Sequence, residues 1–325
     1  MFAAMCALVS ACRRSSADVY DELALMVRSL EPGADVMLVF APTSHDVQCV
    51  YAAGARAEHF SRARIALEHP ESIVASAARS RHREYSQGRA GCVIATDRVA
   101  IAIPMLDGDA LVAVAYAASC SEDGFRDCDA LVRAVTQCGA PLALARERED
   151  DRLRATYDAL TGLLTPTAFR EELFAALALA KFRPQATISL WFVDTDNFKS
   201  VNDRFGHAAG DAVLQRMAAL LREHTTANLD VPARNGGDEF CAILRDVPKT
   251  VAIARAQAFC EAVRGADFGI VPALSASVGV ASFPYDALEA STLLEAADAA
   301  MYHSKRSGRN CVSFAAGPQT FVTYR

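Results

Sequence analysis

Asn235-Gly236-Gly237-Asp238-Glu239-Phe240 sets two glycines directly before two carboxylates, with the apolar run Phe240-Cys241-Ala242-Ile243-Leu244 behind them. Paired glycines let a backbone take positive φ in a tight hairpin and leave open space above it. A flat base or a phosphate chain could lie there without meeting a Cβ. Adjacent acids at such a tip repel each other, and a divalent cation is the economical remedy.

A second acidic end stands upstream. Thr187-Ile188-Ser189-Leu190-Trp191-Phe192-Val193 is nearly continuous in apolar residues, the pattern of a central strand covered on both faces. It delivers Asp194-Thr195-Asp196-Asn197-Phe198-Lys199 at its carboxyl end, the edge where open α/β sheets usually bind ligands. If this strand neighbours the Glu239–Leu244 strand, Asp194, Asp238 and Glu239 converge. Carboxylates from adjacent strands make two-metal phosphoryl-transfer sites, with ions about 3.5–4 Å apart. A single Asp at a strand end is more often a turn former; three acids with a glycine pair point to a site. Lys199, Lys305 and Arg309 are the candidate counter-charges. Lys199 shares a loop with Asp194, and that loop's N–H groups could also hold phosphate. Lys305 and Arg309 flank a helix end whose dipole disfavours anions, so pattern alone does not select them.

The elements that must position these groups can be read from periodicity. A helix is expected over Thr167–Lys181, then the strand ending at Asp194. A loop carrying Asn202, Asp203, Gly206 and His207 leads to Gly210-Asp211. Val213, Leu214, Met217, Leu220 and Leu221 form the buried stripe of the next helix. After the hairpin come a helix over Lys249–Arg264, a strand over Ala273–Ala281, a helix over Leu288–Arg306 and a short closing strand over Cys311–Phe314. This order predicts an α/β domain of the nucleotide-cyclase or polymerase-palm kind, a central, mainly antiparallel sheet flanked by helices.

The first half reads as a separate small α/β module. Helices are expected over Asp18–Leu30, over Ser72–Ala78 and from Phe125, with strands over Asp35–Phe40 and Val47–Ala52. Val99–Leu106 and Ala110–Ala118 form a hairpin through Asp107-Gly108. That hairpin resembles, in pattern only, the later strands of a GAF domain; a PAS domain is also compatible. Cys92 and His82 stand alone and make no ligand signature. Leu131, Val135, Cys138, Leu142 and Ala145, with Leu153 after a stutter, fit two arrangements: a coiled-coil seam between two chains, or a helix packed on its own domain. The charged stretch Arg146–Arg154 is solvated.

At 325 residues the chain suggests two domains of ordinary size. A net charge of −6 and a pI near 5.7 exclude a broad basic field for nucleic acid or anionic membrane. The ten cysteines include no Cys-x-x-Cys pair, so reduced thiols in a cytoplasmic protein are expected. Met1–Cys12 is apolar, but Arg13 and Arg14 follow it, the wrong order for a signal peptide; an amphipathic helix is expected. No other run approaches a membrane span.

Taken in order, Asp194-Thr195-Asp196-Asn197-Phe198-Lys199-Ser200-Val201-Asn202-Asp203, Gly206-His207-Ala208-Ala209-Gly210-Asp211, Gly236-Gly237-Asp238-Glu239-Phe240, Ala297-Asp298, Met301-Tyr302, Lys305 and Gly308-Arg309-Asn310 resemble a GGDEF-domain diguanylate cyclase. The resemblance covers about Asp158 to Phe314. It implies condensation of two GTP into cyclic di-GMP with release of two pyrophosphates. It further implies Mg²⁺ (or Mn²⁺), two ions per site, held by Asp194, the Thr195 carbonyl and Asp238 or Glu239. Asn202 and Asp211 would read the guanine edge, which their donors and acceptors suit. Phe198, Lys199, Gly236, Gly237, Lys305 and Arg309 would surround the rest of the substrate. Asp238 or Glu239 would help deprotonate the attacking 3′-hydroxyl.

Each such domain holds one GTP, so a homodimer is implied. The expected organisation is a GAF-like sensory and dimerisation domain over 1–140, a helical signalling linker over 141–157, the cyclase domain over 158–314 and a tail over 315–325. The N-terminal domain would take a small-molecule or protein signal. The rival reading, a catalytically inactive GTP- or cyclic-dinucleotide-binding module, is at odds with the intact hairpin and Asp194. Two departures from the family pattern stand out. Thr165-Pro166 replace an Asn-Arg pair whose Arg can bond the Asp at the Asp158 position. Ala227 replaces the Arg of an Arg-x-x-Asp product-inhibition site of which Asp230 is retained, so that site is expected to be degenerate.

Overall fold

The computed structural model describes residues 15–34, 36–54, 63–87, 97–119, 125–183, 185–272, 274–317 and 320–324, with residues 11, 60, 92 and 93 besides. The helix expected over Met1–Cys12 lies outside the described residues apart from Ala11. The chain divides into two compact units, Met1–Asp151 and Arg152–Arg325.

The first unit is built on a six-stranded antiparallel sheet. Its elements are α1 (Ser16–Leu30), β1 (Val36–Pro42), β2 (Asp46–Ala53), β3 (Arg64–Ala66), α2 (Ile73–Ser80), β4 (Glu84–Gln87), β5 (Val99–Asp107), β6 (Ala110–Ser119), α3 (Cys128–Thr136) and α4 (Gly139–Thr156), the last crossing the division between units. The strand order is β3-β2-β1-β6-β5-β4. Alternate residues of the central strands serve two cores. Met37, Val39, Ile101, Ile103 and Ala115 pack against α1, α3 and α4; Leu38, Phe40, Ala102, Val114 and Tyr116 pack on the other face, beside α2. Both faces are covered, which is why β1, β5 and β6 are apolar but for Asp107 and Ser119 at the ends of β5 and β6.

The same core settles the two readings of the 131–145 stripe. Leu131, Val135, Cys138, Leu142 and Ala145 are all buried within the unit's own core, and the helix is broken between α3 and α4. The stripe therefore packs at home and is unavailable as a seam between chains. Leu153, beyond it, is exposed.

The second unit contains α5 (Pro166–Ala180), β7 (Ile188–Thr195), α6 (Phe198–Phe205), α7 (His207–Glu223), β8 (Val231–Gly236), β9 (Glu239–Arg245), α8 (Lys249–Gly265), β10 (Ala276–Phe283), α9 (Ala290–Arg306), β11 (Cys311–Gly317) and β12 (Thr320–Tyr324). The sheet order is β12-β11-β10-β7-β9-β8, antiparallel except for β10 with β11. Every residue of β7 is buried, as its continuous apolar run requires. Trp191 and Val193 join the core under α7 and α8, while Leu190 and Phe192 join the core under α5 and α9.

Two expectations are corrected here. Residues 198–205, expected as loop, form α6, so Lys199 and Asn202 are helical. The period was hidden by polar residues, with Val201 the only buried position of that helix. The closing strand is longer than expected and is followed by β12, whose alternating exposed and half-buried pattern is that of an edge strand. Among the described residues, no helix is long and apolar enough to cross a membrane.

Candidate active site

The site is assembled by register. Asp194 pairs across the sheet with Glu239 on β9 and with Ser277 on β10. Cross-strand partners project to the same face, so both carboxylates stand on the α9 side. β8 and β9 are joined through Gly237-Asp238, with φ of 141° at Gly236 and 51° at Gly237. Side chains rarely tolerate either value. A Cβ at Gly236 or Gly237 would meet nothing within 4 Å, so the expected open space above the hairpin is there.

Backbone bonds tie this turn to the end of β7. The Thr195 N–H and hydroxyl both donate to the Asp238 carbonyl, each at 3.2 Å. In an antiparallel strand the N–H and C=O of one residue face the same neighbour, so the Thr195 carbonyl also looks toward Asp238. Asn235 Nδ2 donates to Glu239 Oε2 at 3.0 Å, and Arg234 donates to the Gly237 carbonyl from Nε at 3.1 Å and Nη2 at 2.7 Å.

The acids outnumber the cations bonded to them. Lys305 Nζ, in the last turn of α9, lies 2.5 Å from Asp194 Oδ2. Burial nonetheless pushes the Asp194 carboxyl up to about 6; the Lys305 bond opposes that rise and the Asp238 charge adds to it. Burial also raises Asp238, against the pull of its own backbone N–H and Lys305, with Glu239 adding to the rise. Strain of this kind is relieved by a cation. The donors are hard carboxylate and carbonyl oxygens, a set that fits Mg²⁺ or Mn²⁺. Among the described residues no three acidic, imidazole or thiol side chains already converge as a cage. Such a cation would draw on two carboxylates, backbone and substrate oxygens, the usual habit of Mg²⁺.

Asn202 sits on α6 beside Gly210 of α7, and Asp211 is the next residue, exposed at its rim. Phe198 and Lys199 begin α6, whose N-terminus has Asn197 at φ 60° and no side-chain cap. Lys199 and Arg309 are exposed and form no ion pair with the site acids among the described residues. Arg309, at φ 63°, lines a separate cavity of about 420 Å³ with Gln257, Cys260, Glu261 and Arg264 of α8. The structure therefore gathers Asp194, Thr195, Asp238, Glu239 and Lys305, and leaves Arg309 to one side.

One structural residue escaped the sequence reading. Asp196 is buried and accepts from Ser275 Oγ at 2.6 Å, Ser277 Oγ at 2.7 Å and the Asn310 N–H at 3.0 Å. It clamps the ends of β7 and β10 to the turn before β11. A second acid two residues after a strand-end Asp was the available signal, but its partners lie about 80 and 114 residues away.

Both family departures have structural outcomes. Thr165 caps α5 and its hydroxyl donates to the Ala155 carbonyl, while Asp158 bonds Arg234 instead. Ala227 is exposed, and Asp230 is buried, accepting from Arg255 Nη2 at 2.7 Å and from the N–H groups of Thr226 and Arg245.

The sequence profile described as "Diguanylate cyclase, GGDEF domain" matches residues 155–311. Diguanylate cyclase A of Treponema denticola is 38% identical over 130 residues, 39% of this chain and 35% of that protein. Diguanylate cyclase DgcS of Shewanella oneidensis is 35% identical over 179 residues, 53% of this chain and 56% of that protein. The chain thus spans between a third and just over half of the length of these curated relatives. The crystal structure of the coiled coil and GGDEF domain of DgcB from Caulobacter crescentus in complex with c-di-GMP superposes with a TM-score of 0.51 at 31% identity, over 56% of this chain and 97% of that one. Through residues 155–311, this chain belongs to the diguanylate cyclase GGDEF-domain family.

Proposed function

We propose that the chain condenses two GTP into cyclic di-GMP and two pyrophosphates, as a cytoplasmic homodimer regulated through its first unit. The observation that carries this reading is the Asp194–Glu239 register beside an open Gly236-Gly237 turn. Asn202 and Asp211 hold the guanine edge. Lys199 and the N–H groups at the start of α6 bind the phosphates, as helix N-termini do. Lys305 exchanges its bond to Asp194 for a phosphate oxygen when substrate arrives. Arg309 joins it only by leaving the α8 cavity.

Asp194, Asp238 or Glu239 and the Thr195 carbonyl would hold Mg²⁺ or Mn²⁺, two per site. Bound there, the ions supply neutralisation of the triphosphate and acidify the 3′-hydroxyl. One carboxylate of the Asp238-Glu239 pair accepts the 3′ proton. The 3′-oxygen of one GTP then bonds to the α-phosphorus of the other as the bond to pyrophosphate breaks, and the reciprocal step closes the ring. Each domain supplies one nucleotide, hence the homodimer. The first unit is read as GAF-like, a reading supported by a six-stranded sheet with α1, α3 and α4 on one face and α2 on the other. A cavity of about 430 Å³ lined by Ile65, His69, Ser72 and Cys92 is a place for a small-molecule signal.

The test is direct. Purified chain is incubated with GTP and Mg²⁺, and the product is identified by mass spectrometry. Cyclic di-GMP is expected. GTP binding without any cyclic dinucleotide, even when two chains are tethered, would instead establish a binding module.

A further inference from the structure

Gly210 lies in the first turn of α7, and no positive φ demands a glycine there. What demands it is space. A Cβ at Gly210 would lie 2.0 Å from Asn202 Oδ1, 3.1 Å from Asn202 Cγ and 3.2 Å from Phe198 Cζ. The Asn202 amide thus occupies the volume of the missing side chain, with the Phe198 ring closing the other side. The backbone is held around it: Gly206 N–H donates to the Asn202 carbonyl at 2.9 Å, and Gly210 N–H to the Gly206 carbonyl at 3.2 Å. Asp211 follows directly, so this notch sets the spacing between Asn202 and Asp211.

We infer that Gly210 is a positioning residue for nucleotide binding: the notch it leaves seats the Asn202 amide for the guanine edge. The inference rests on the reading of Asn202 and Asp211 as the guanine contacts. A methyl at Gly210 collides with the tip of the short Asn202 side chain and presses the Phe198 ring by a few tenths of an ångström, and meets no backbone. The helix accepts it, because alanine is the better helix former. Asn202 is what must move. A structural glycine would behave oppositely: its replacement would lower stability and leave nucleotide affinity alone.

The experiment uses the full chain with Mg²⁺ and 3′-deoxy-GTP, which lacks the attacking hydroxyl, and reads affinity by calorimetry and melting by scanning fluorimetry. Gly210→Ala is expected to melt at or above the wild-type temperature and to bind roughly tenfold or more weakly, the loss of about one good hydrogen bond. In an Asn202→Ala background, Gly210→Ala is expected to change affinity by less than about twofold. Wild-type affinity in Gly210→Ala, with weakened binding in Asn202→Ala, overturns the inference and leaves the guanine reading intact. Wild-type affinity in Asn202→Ala, or no binding by the wild type, overturns that reading instead. If Gly210→Ala does not fold, recovery of folding on adding Asn202→Ala supports the notch, and failure to recover overturns it.

Discussion

Asp158 and Arg234 meet across 76 residues, with one guanidinium nitrogen 3.2 Å from each carboxylate oxygen. The same guanidinium grips the Gly237 carbonyl, so the turn after α4 is fastened to the tip that carries Asp238. Burial opposes ionisation of Asp158, but hydrogen bonds from Thr161 and Arg234 outweigh it and hold the carboxyl below its usual value.

Asp158→Ala should therefore loosen the tip. A half-buried pair of this kind contributes about 1–2 kcal/mol. The expected outcome is a melting point lower by a few degrees and specific activity down roughly tenfold, read by fluorimetry and product formation. Arg234→Lys should show both losses as well, because one ammonium cannot reach both the carboxylate and the Gly237 carbonyl.

Asp194→Asn should raise stability while abolishing activity. With the folded carboxyl at about 6 against an ordinary value of 3.8, charge at this position opposes folding. The penalty is absent below about pH 4, grows as pH rises to 6 and is complete above it. Its size is on the order of 2 kcal/mol, about 5 °C in melting for a unit this large. Without metal, the Asp194→Asn variant should out-melt wild type at pH 7.5, with the gap narrowing at pH 5. Adding Mg²⁺ should stabilise wild type alone.

Asp230 should behave as a core residue and not as a feedback switch. Its carboxylate is saturated by Arg255 and two backbone N–H groups. Asp230→Ala leaves the Arg255 charge half-buried and unpaired there, at a cost of about 2–4 kcal/mol. Initial rates with added cyclic di-GMP should stay within about twofold of control. Strong inhibition that vanished in Asp230→Ala, with melting unchanged, would contradict this.

Gly279→Ala should be the most damaging methyl in the domain. Its Cβ would lie 2.0 Å from the Ala297 carbonyl oxygen and 2.2 Å from the Met301 nitrogen, both backbone of α9. The helix must lift from β10, taking Lys305 with it. Overpacking against backbone costs about 3 kcal/mol or more. Chemical denaturation should register that loss, and the residual folded fraction should bind GTP more weakly.

What could be read from the chain divides along a physical line. The continuous apolar runs of β7 and β9 announced a doubly covered sheet, and glycines ahead of Asp238-Glu239 announced an open turn. Local chemistry sufficed there. The 198–205 helix stayed hidden because only Val201 of its residues is buried, so no stripe marks it. β3, β4 and β12 are short edge strands whose identity depends on the neighbour they pair with. Asp196 and Gly210 were visible as letters but not as roles, since each acts through a partner supplied by another element.

The Asp196 clamp makes the chemical edge of the sheet as firm as its middle. Amides at the ends of β7 and β10 should exchange with solvent only when the whole unit opens, since three donors from 79 to 114 residues away must release together. An edge so fixed cannot close on its substrate like a jaw. On the dimeric reading proposed above it acts as a jig: the nucleotide is presented in one attitude, and turnover follows how often an entire second jig is carried up to it.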